Sequence, residues 1–223
     1  MSRKEIDVLE DLLGSNKKIA AEIRRLLGEK EILTVNFMSS PGSGKTSLLE
    51  KIIDLLFPRH RLAVIEGDIE TDQDAARIRA KGVPAWQITT GGACHLEAKM
   101  VGRLMKEIPA GTEFLFIENV GNLVCPASYD LGESLRCVLL SVPEGEDKPK
   151  KYPKAFLTAD CLVITKLDLL AYVPYDLEKV KREALEINPG LKIFGTSALT
   201  GEGVEEFSQF LLEWRRRLGK NHA

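Results

Sequence analysis

Short apolar runs rich in β-branched residues alternate with helical patterns along most of the chain, from Ile32 onward. The candidate strands are residues 33–38, 62–65, 85–88, 114–118, 137–142, 161–165 and 193–196. The candidate helices are residues 47–56, 72–81, 95–106, 177–187 and 204–218. Strands that alternate with helices are typical of βαβ units. The pattern therefore predicts an α/β fold, in which helices flank a mostly parallel sheet on both faces.

Two stretches depart from this alternation. Residues 1–30 carry a helical pattern with two apolar stripes, and the sequence Gly14-Ser15-Asn16 between them predicts a break, with Ser15 or Asn16 as the N-cap of a second helix. Residues 143–153 are rich in Pro, Gly, Lys and Glu, and we expect them to form a plain solvated connection. The chain is thus predicted to consist of an N-terminal helical segment, 1–30, and one domain, 31–223.

The composition and charge of the chain argue against some classes of binding partner. The 223 residues are 44% hydrophobic and 29% charged, as in ordinary globular proteins, and the formal net charge of −2 argues against non-specific nucleic-acid binding. Since no apolar run approaches the roughly 18 residues that span a bilayer, we expect no membrane association. The first residues show no apolar signal segment, and four cysteines are too few for a disulfide scaffold. We therefore expect a cytoplasmic chain with reduced thiols.

The strongest chemical signal is the segment 39–46, Ser-Ser-Pro-Gly-Ser-Gly-Lys-Thr, between a candidate strand and a candidate helix. This is the context of a Walker A phosphate loop, whose glycines let backbone N–H groups point at phosphate oxygens. Lys45 would reach the β- and γ-phosphates, and the Thr46 hydroxyl would bind Mg²⁺. Ser39 stands where the motif usually has Gly. The predicted nucleotide-binding residues are Pro41, Gly42, Ser43, Gly44, Lys45, Thr46 and Ser47.

Two later segments indicate which base is bound. Residues 165–168, Thr-Lys-Leu-Asp, resemble the guanine motif of G proteins, in which a carboxylate accepts hydrogen bonds from N1 and the 2-amino group of guanine. Adenine offers neither donor, so it would leave Asp168 unpaired. Residues 196–199, Thr-Ser-Ala-Leu, resemble the loop that meets guanine O6. The predicted base-binding residues are Thr165, Lys166, Asp168, Ser197, Ala198 and Leu199.

The middle of the chain should supply Mg²⁺ ligands and a sensor of the γ-phosphate. Glu118-Asn119-Val120-Gly121 follows a buried strand, where many G proteins have Asp-x-x-Gly, so we assign Glu118 to Mg²⁺ and Gly121 to the γ-phosphate. Asp68 and Asp74 are assigned as water-positioning groups, Asp74 also as a Mg²⁺ ligand beside Thr46. The residue after Gly121 is Asn122 rather than a water-orienting Gln, so hydrolysis should be slow.

Soft metal ligands form a third group of candidates. Cys94 and His95 are adjacent, Cys125 follows Gly121 by four residues, and this set suits Zn²⁺, Ni²⁺ or Cu. Side chains at adjacent positions diverge, so Cys94 and His95 are not expected to converge on one ion within one chain, whereas a two-fold dimer would assemble the ligands. The plainer alternative has Cys94 in a buried turn and His95 at the start of a surface helix. Cys137 and Cys161 lie in apolar strand patterns and are expected in the core.

Taken together, these motifs resemble the HypB family, the GTPases that help to insert nickel into [NiFe]-hydrogenase. The matching segments are 39–46, 66–69, 94–96, 118–126 and 165–168, and the family also tolerates Ser at the position of Ser39. The resemblance implies a P-loop fold, a nucleotide-dependent homodimer, and Cys94, His95 and Cys125 as its interfacial Ni²⁺ or Zn²⁺ ligands. It implies GTP/GDP and Mg²⁺ as cofactors. The implied partners are a nickel-chaperone protein and the hydrogenase large-subunit precursor.

Three alternatives remain open from the sequence. A urease-accessory GTPase would carry Cys-Pro-His in its metal motif, whereas Cys94 and His95 are adjacent here. A small-molecule P-loop kinase would need an acceptor-binding lid, of which the sequence gives no sign. A non-enzymatic metal carrier would have no need of the intact Lys45 and Thr46 pair.

Overall fold

The computed structural model describes residues 3–70 and 72–220. The two predicted segments, 1–30 and 31–223, include six residues outside the described part, namely 1, 2, 71 and 221–223. Within it, no helix is long and apolar enough to cross a membrane.

Seven parallel strands form one sheet in the order β3-β2-β4-β1-β5-β6-β7. The strands are β1 (Leu33–Ser39), β2 (Leu62–Asp68), β3 (Ala85–Thr89), β4 (Phe114–Glu118), β5 (Leu135–Ser141), β6 (Cys161–Thr165) and β7 (Lys192–Gly195). Each lies within three residues of its predicted bounds, and the α/β prediction is confirmed. The chain order reverses beside β1, and this is where open parallel sheets bind ligands, at the carboxyl ends of their strands.

Helices cover both faces of the sheet. They are α1 (Arg3–Glu29), α2 (Lys45–Leu56), α3 (Gln73–Ala80), α4 (Ala98–Gly102), α5 (Lys148–Lys151), α6 (Pro153–Leu157), α7 (Leu177–Ile187) and α8 (Val204–Lys220). Alternate residues of each strand point to opposite faces. On β4, Phe114 and Phe116 pack with α2, α3 and α8, while Leu115 and Ile117 pack with α1 and α4. Cys137 and Cys161 are fully buried in the first of these cores, as predicted.

The predicted break in the N-terminal segment is wrong. Helix α1 runs through Gly14 without interruption, and Asn16 caps nothing. Its buried side chain instead donates to the carbonyl of Asp130 at 2.7 Å and accepts from the backbone N–H of Ala98 at 2.8 Å. The amide of Asn16 is therefore used in tertiary contacts, which hold α1 against the sheet.

Two further expectations are corrected by long-range hydrogen bonds. The helix predicted over 95–106 is only the short α4, because residues before it are drawn into a loop in which Leu96 N–H donates to Asn119 Oδ1 at 3.2 Å. The segment 143–153 is not a plain connection, since it contains α5 and a 3₁₀ turn, Val142–Glu144. Ser43 of the phosphate loop donates to Glu144 Oε2 at 2.7 Å, which anchors this connection beneath the loop.

Candidate functional site

The loop between β1 and α2 has a backbone conformation that depends on its glycines. Gly42 and Gly44 have φ of 75° and 84°, values that other residues rarely adopt. Ser43 Oγ lies 2.8 Å from the carbonyl oxygen of Ser40 and 2.7 Å from Glu144 Oε2, so these two acceptors share its single proton. This curled backbone at the start of α2 provides N–H groups and a helix N-terminus for an anion.

The side chains of Lys45, Thr46 and Glu118 lie close together beside this loop. Lys45 Nζ donates to Ser39 Oγ at 2.9 Å and lies 4.0 Å from Glu118 Oε1. Thr46 Oγ1 donates to the same carboxyl oxygen at 3.0 Å. Glu118 Oε2 is buried and has no hydrogen-bond partner in the part of the chain that the structure describes. Hydroxyl and carboxylate oxygens brought together in this way fit a hard cation such as Mg²⁺.

A cavity of about 480 Å³ opens in front of the phosphate loop. Its lining includes the predicted residues Pro41, Gly42, Gly44, Lys45, Thr46, Ser47, Asp68, Asp74, Glu118 and Gly121. Asp74 lies on the first turn of α3 and pairs with Arg77, whose Nη1 is 3.1 Å from Asp74 Oδ1. Arg77 also lines the cavity and was not predicted, because a charged helical position reads as solvated surface.

Glu66 is a second residue that sequence reasoning left without a role. It pairs in register with Glu118 across β2 and β4 and is 1% exposed. Its Oε1 has no hydrogen-bond partner among the described residues. Burial, followed by the charge of Glu118, raises the pKa of Glu66 well above its ordinary value. Burial also raises the pKa of Glu118, although Lys45 opposes this shift. The site therefore holds two buried carboxyls, of which Glu66 binds a proton more readily.

A neighbouring cavity of about 420 Å³ is lined by five of the predicted base-binding residues, Thr165, Lys166, Asp168, Ala198 and Leu199, but not by Ser197. It shares Gly44, Ser47 and Lys166 with the phosphate cavity, so the two form one continuous cleft. Lys166 adopts a left-handed backbone, with φ 60° and ψ 41°, and its Nζ donates to the carbonyl of Gly42 at 2.7 Å. Thr165 Oγ1 donates to the carbonyl of Ser43 at 2.6 Å. The motif at 165–168 is thus bound directly to the phosphate loop.

Asp168 and the following loop lie at the far end of the base cavity. Asp168, Ala198 and Leu199 line it, and Ser197 Oγ donates to Asp168 Oδ1. Ser197 Oγ in turn accepts from the backbone N–H of Thr200 at 3.2 Å. The hydrogen bond from Ser197 therefore helps to orient the carboxylate of Asp168 at the base cavity.

Cys94, His95 and Cys125 come together in one chain. One potential ligand atom from each lies within 4.8 Å of the others, and Cys94 Sγ donates to Cys125 Sγ at 3.0 Å. The expectation that Cys94 and His95 diverge is wrong, because both lie in a bend rather than in a helix, where adjacent side chains can turn to the same side. Two sulfurs and one imidazole nitrogen fit a soft or borderline ion.

The surroundings of the three residues are partly buried. The contact with Cys94, with burial second, raises the pKa of Cys125. Burial lowers the pKa of His95, whose ring lies 3.9 Å from that of Tyr129 at an interplanar angle of 32°. The lowered pKa of His95 favours a neutral imidazole, which is the form that binds metals. The raised pKa of Cys125 favours the thiol, which must lose its proton to bind an ion.

The metal cluster and the phosphate cavity share one segment of chain. A Cβ on Gly121 would lie 2.9 Å from Pro41 Cα, so only glycine lets this segment approach the phosphate loop so closely. Asn119 is buried and accepts from the backbone N–H of Leu96. Asn122 Nδ2 donates to the carbonyl of Cys94 at 3.3 Å. Residues 119–125 therefore contact the phosphate loop at one end and the metal cluster at the other.

Comparison with known proteins agrees with this geometry. The family model described as CobW/HypB/UreG, nucleotide-binding domain, matches residues 33–195. Hydrogenase maturation factor HypB of Azotobacter chroococcum mcd 1 is 49% identical over 213 residues, which cover 95% of this chain and 68% of that protein. Hydrogenase/urease maturation factor HypB of Helicobacter pylori (strain J99) is 45% identical over 221 residues, which cover 97% of this chain and 90% of that protein.

A solved structure gives the same result in three dimensions. The crystal structure of HypB from Helicobacter pylori in complex with nickel superimposes with a TM-score of 0.86 at 45% identity, covering 91% of this chain and 96% of that chain. The family model spans most of the chain, and the relatives are similar over nearly its whole length. The chain therefore belongs to the HypB family of P-loop nucleotide-binding proteins.

Proposed function

We propose that this chain is a slow, Mg²⁺-dependent GTPase that forms a cytoplasmic homodimer and delivers nickel during [NiFe]-hydrogenase maturation. The observation that carries the proposal is the segment 119–125, which joins the phosphate cavity to the cluster of Cys94, His95 and Cys125. Relatives named hydrogenase maturation factor HypB, and one solved in complex with nickel, support this choice of cargo and pathway. A nickel-chaperone protein and the hydrogenase large-subunit precursor are the proposed partners.

Guanine selectivity rests on Asp168. Its carboxylate faces the base cavity and is oriented by Ser197, so it can accept from the two donors on the guanine edge. An adenine in the same place would leave a partly buried carboxylate unpaired, which is costly. Lys45 and the curled backbone of the phosphate loop would bind the phosphates.

Thr46, Glu118 and Asp74 would hold Mg²⁺, with Glu66 behind them. When bound, the ion neutralises charge on the phosphate oxygens. Slow turnover follows from Asn122, which occupies the position after Gly121. Its side chain is engaged with the carbonyl of Cys94 and the N–H of Val124, so it does not orient an attacking water.

Nickel is the cargo rather than a resident cofactor in this proposal. One chain offers three ligands, and a four-coordinate ion needs at least one more. A second copy of the chain, related by a two-fold axis, would bring its own thiolates to the same place. Val124 is 58% exposed beside Cys125, and such an apolar side chain suits a surface that is covered in the dimer.

Nucleotide hydrolysis tests the first part of the proposal. We expect GTP to be hydrolysed slowly, and a large excess of ATP to leave the rate unchanged. Lys45→Ala should abolish nucleotide binding, whereas Lys181→Ala, a partly exposed position on α7, should behave like the unmodified protein. Equal hydrolysis of ATP would favour the kinase alternative, and absence of any hydrolysis would favour a metal carrier.

Metal titration tests the second part. The reduced protein, with a non-hydrolysable GTP analogue under anaerobic conditions, should bind Ni²⁺ or Zn²⁺ and form a dimer by native mass spectrometry. Cys125→Ala should remove this binding while sparing GTP binding. Ser128→Ala, three residues farther along, provides the matched control. Unchanged metal affinity in the cysteine variant would overturn the assignment of the site.

A further inference from the structure

The two nitrogens of the His95 ring face different surroundings. Nδ1 lies 3.8 Å from Cys94 Sγ, on the side of the metal cluster. Nε2 is buried and has no hydrogen-bond partner among the described residues. Its neighbouring acceptor is Glu97, whose Oε1 is 4.0 Å away. A buried ring nitrogen without a partner is costly, so this atom points to a contact that forms only when the site is in use.

Glu97 is held where it can make that contact. It occupies the N-cap position of α4 in an extended conformation, and its Oε2 is 2.9 Å from Lys99 Nζ. The lysine thus anchors one carboxyl oxygen, while the other faces the imidazole. The side chain of Glu97 is 26% exposed, so it can turn by the ~1 Å that separates 4.0 Å from a charge-assisted hydrogen bond.

Glu97 is unsuited to be a ligand itself. Among the described residues, the cluster whose three ligand atoms all lie within 4.8 Å of one another contains Cys94, His95 and Cys125, without Glu97. Its carboxyl approaches the ring from the Nε2 side, away from the sulfur of Cys94. Tyr129 packs on the ring, and this contact opposes a flip that would exchange the two nitrogens.

We propose that Glu97 positions His95, accepting a hydrogen bond from Nε2–H so that the lone pair of Nδ1 faces the metal. The inference rests on the proposed metal site and deepens it. A ligating imidazole carries its proton on the other nitrogen, and a carboxylate partner there fixes the ring and makes the ligating nitrogen more basic. Lys99 supports this arrangement by orienting Glu97.

Magnetic resonance with ¹¹³Cd²⁺ as the probe tests which nitrogen binds. The chain has three histidines, so ¹⁵N-histidine labelling gives few signals, and His60→Gln assists their assignment. We expect scalar coupling of ¹¹³Cd to Nδ1 of His95 and a protonated Nε2 that exchanges slowly with water. Coupling to Nε2 would overturn the inference, as would absence of coupling to either nitrogen in a protein whose cysteine thiolates bind the ion.

Variants of Glu97 test the positioning role. Loss of such a partner typically costs 10–100-fold in metal affinity, so Glu97→Ala should weaken Zn²⁺ binding by about 10-fold or more. Glu97→Gln keeps an acceptor oxygen without the charge and should lie between Ala and the unmodified protein. Glu107→Gln changes an exposed carboxylate on the same segment and should have no effect. Slow exchange of the Nε2 proton should be lost in the Ala variant.

Failure of this inference is distinguishable from failure of the proposed function. If Cys125→Ala removes metal binding but Glu97→Ala leaves the affinity within about two-fold, the metal site stands and the role of Glu97 falls. If the unmodified protein binds no metal, both fall. GTP binding and the thermal unfolding midpoint of each variant, measured without metal, show whether the chain is folded.

Discussion

Glu66 and Glu118 place two carboxyls against each other in the interior of the sheet. They are far apart in sequence and meet because β2 and β4 pair in parallel with these residues in register. Burial and the second carboxyl both raise the pKa of Glu66. A buried carboxyl of this kind lowers the stability of the protein without ligand, and it provides a negative site that a cation can occupy.

Removing the charge of Glu66 should stabilise the protein in the absence of nucleotide and Mg²⁺. Since the pKa of Glu66 in the folded chain lies above its ordinary value of 4.5, its favourable contribution is present below that pH and is lost as the pH rises through the folded pKa. The gain in unfolding midpoint of Glu66→Gln should therefore grow as the pH rises above 4.5 and through the folded pKa. Each kcal/mol corresponds to about 2–4 °C in a domain of this size. Calorimetry across this range is the measurement, with the exposed Glu205→Gln as control; a gain that shrinks with pH contradicts the argument.

Asp168 carries the second prediction at this scale. Asp168→Asn keeps the shape of the side chain but offers one acceptor oxygen in place of two and loses the charge, so GTP affinity should fall by about 10-fold or more. The new amide can donate to the 2-carbonyl of xanthine, so affinity for xanthosine triphosphate should rise. Competition titrations with GTP, ATP and xanthosine triphosphate measure this, against Asp11→Asn on the exposed side of α1. Unchanged GTP affinity would show that the base lies elsewhere.

Single residues could be predicted where the chemistry is encoded by near neighbours. The phosphate loop at 39–46 and the segment 165–168 are contiguous, so their curvature and contacts follow from local sequence. Glu66 could not be predicted in the same way, because its partner is supplied by strand pairing. The convergence of Cys94 and His95 also escaped prediction, since it depends on a bend that replaces the start of the expected helix.

At the scale of elements, α1 shows how a tertiary contact overrides a local signal. Gly14-Ser15-Asn16 has the composition of a helix boundary, yet the helix continues because Asn16 bonds to two other segments of the chain. A glycine within a helix costs only about 1 kcal/mol, which such contacts can offset. The same holds for α4 and for residues 143–153. The hydrogen bond from Leu96 to Asn119 holds the residues before α4 in a loop, and the hydrogen bond from Ser43 holds Glu144.

Asn16→Ala should therefore destabilise the whole domain rather than fray a helix end. It would leave the buried carbonyl of Asp130 and the N–H of Ala98 without partners, at a cost of about 1–3 kcal/mol for such groups. Denaturant unfolding followed by circular dichroism measures the effect. Ser15→Ala removes the other candidate cap from an exposed position and should be neutral. A larger loss for Ser15→Ala than for Asn16→Ala would restore the predicted break between two helices.

Strands were predictable to within a few residues because their burial makes them almost continuously apolar. Parallel strands covered on both faces have this character, and β1 and β4 are buried along their entire length. The order of the strands was not predictable from these runs, since all of them are similarly apolar. It is this order that sets Glu66 beside Glu118 and brings the segment after β4 across the phosphate loop.

For the molecule as a whole, the segment 119–125 connects the phosphate cavity to the cluster of Cys94, His95 and Cys125. Gly121 packs against Pro41, and Asn122 binds the loop that carries Cys94. Gly67 adds a second link, because a Cβ there would lie 2.8 Å from Leu96 Cδ1, next to His95. A movement of Gly121 toward a γ-phosphate should therefore displace Cys125, and we expect nucleotide and metal each to change the affinity of the protein for the other.

Gly121→Ala should uncouple the two sites. Its Cβ would lie 2.9 Å from Pro41 Cα, and because that atom is backbone, the segment must move away from the phosphate loop. The first ratio is the metal affinity of the protein bound to a GTP analogue divided by its metal affinity when bound to GDP. The second ratio is the factor by which metal changes the preference of the protein for the analogue over GDP. Reciprocity requires these two ratios to be equal. In the unmodified protein we expect ratios of about 5–150 in either direction. In Gly121→Ala both ratios should approach one, while GDP and the metal alone still bind.

Gly14→Ala, where a Cβ meets no atom within 4 Å, is the matched control and should keep both ratios. Titration calorimetry of all four binding steps closes the thermodynamic cycle. Full coupling in Gly121→Ala would show that the signal passes through another part of the molecule, with Leu96 and Gly67 the next contact to break.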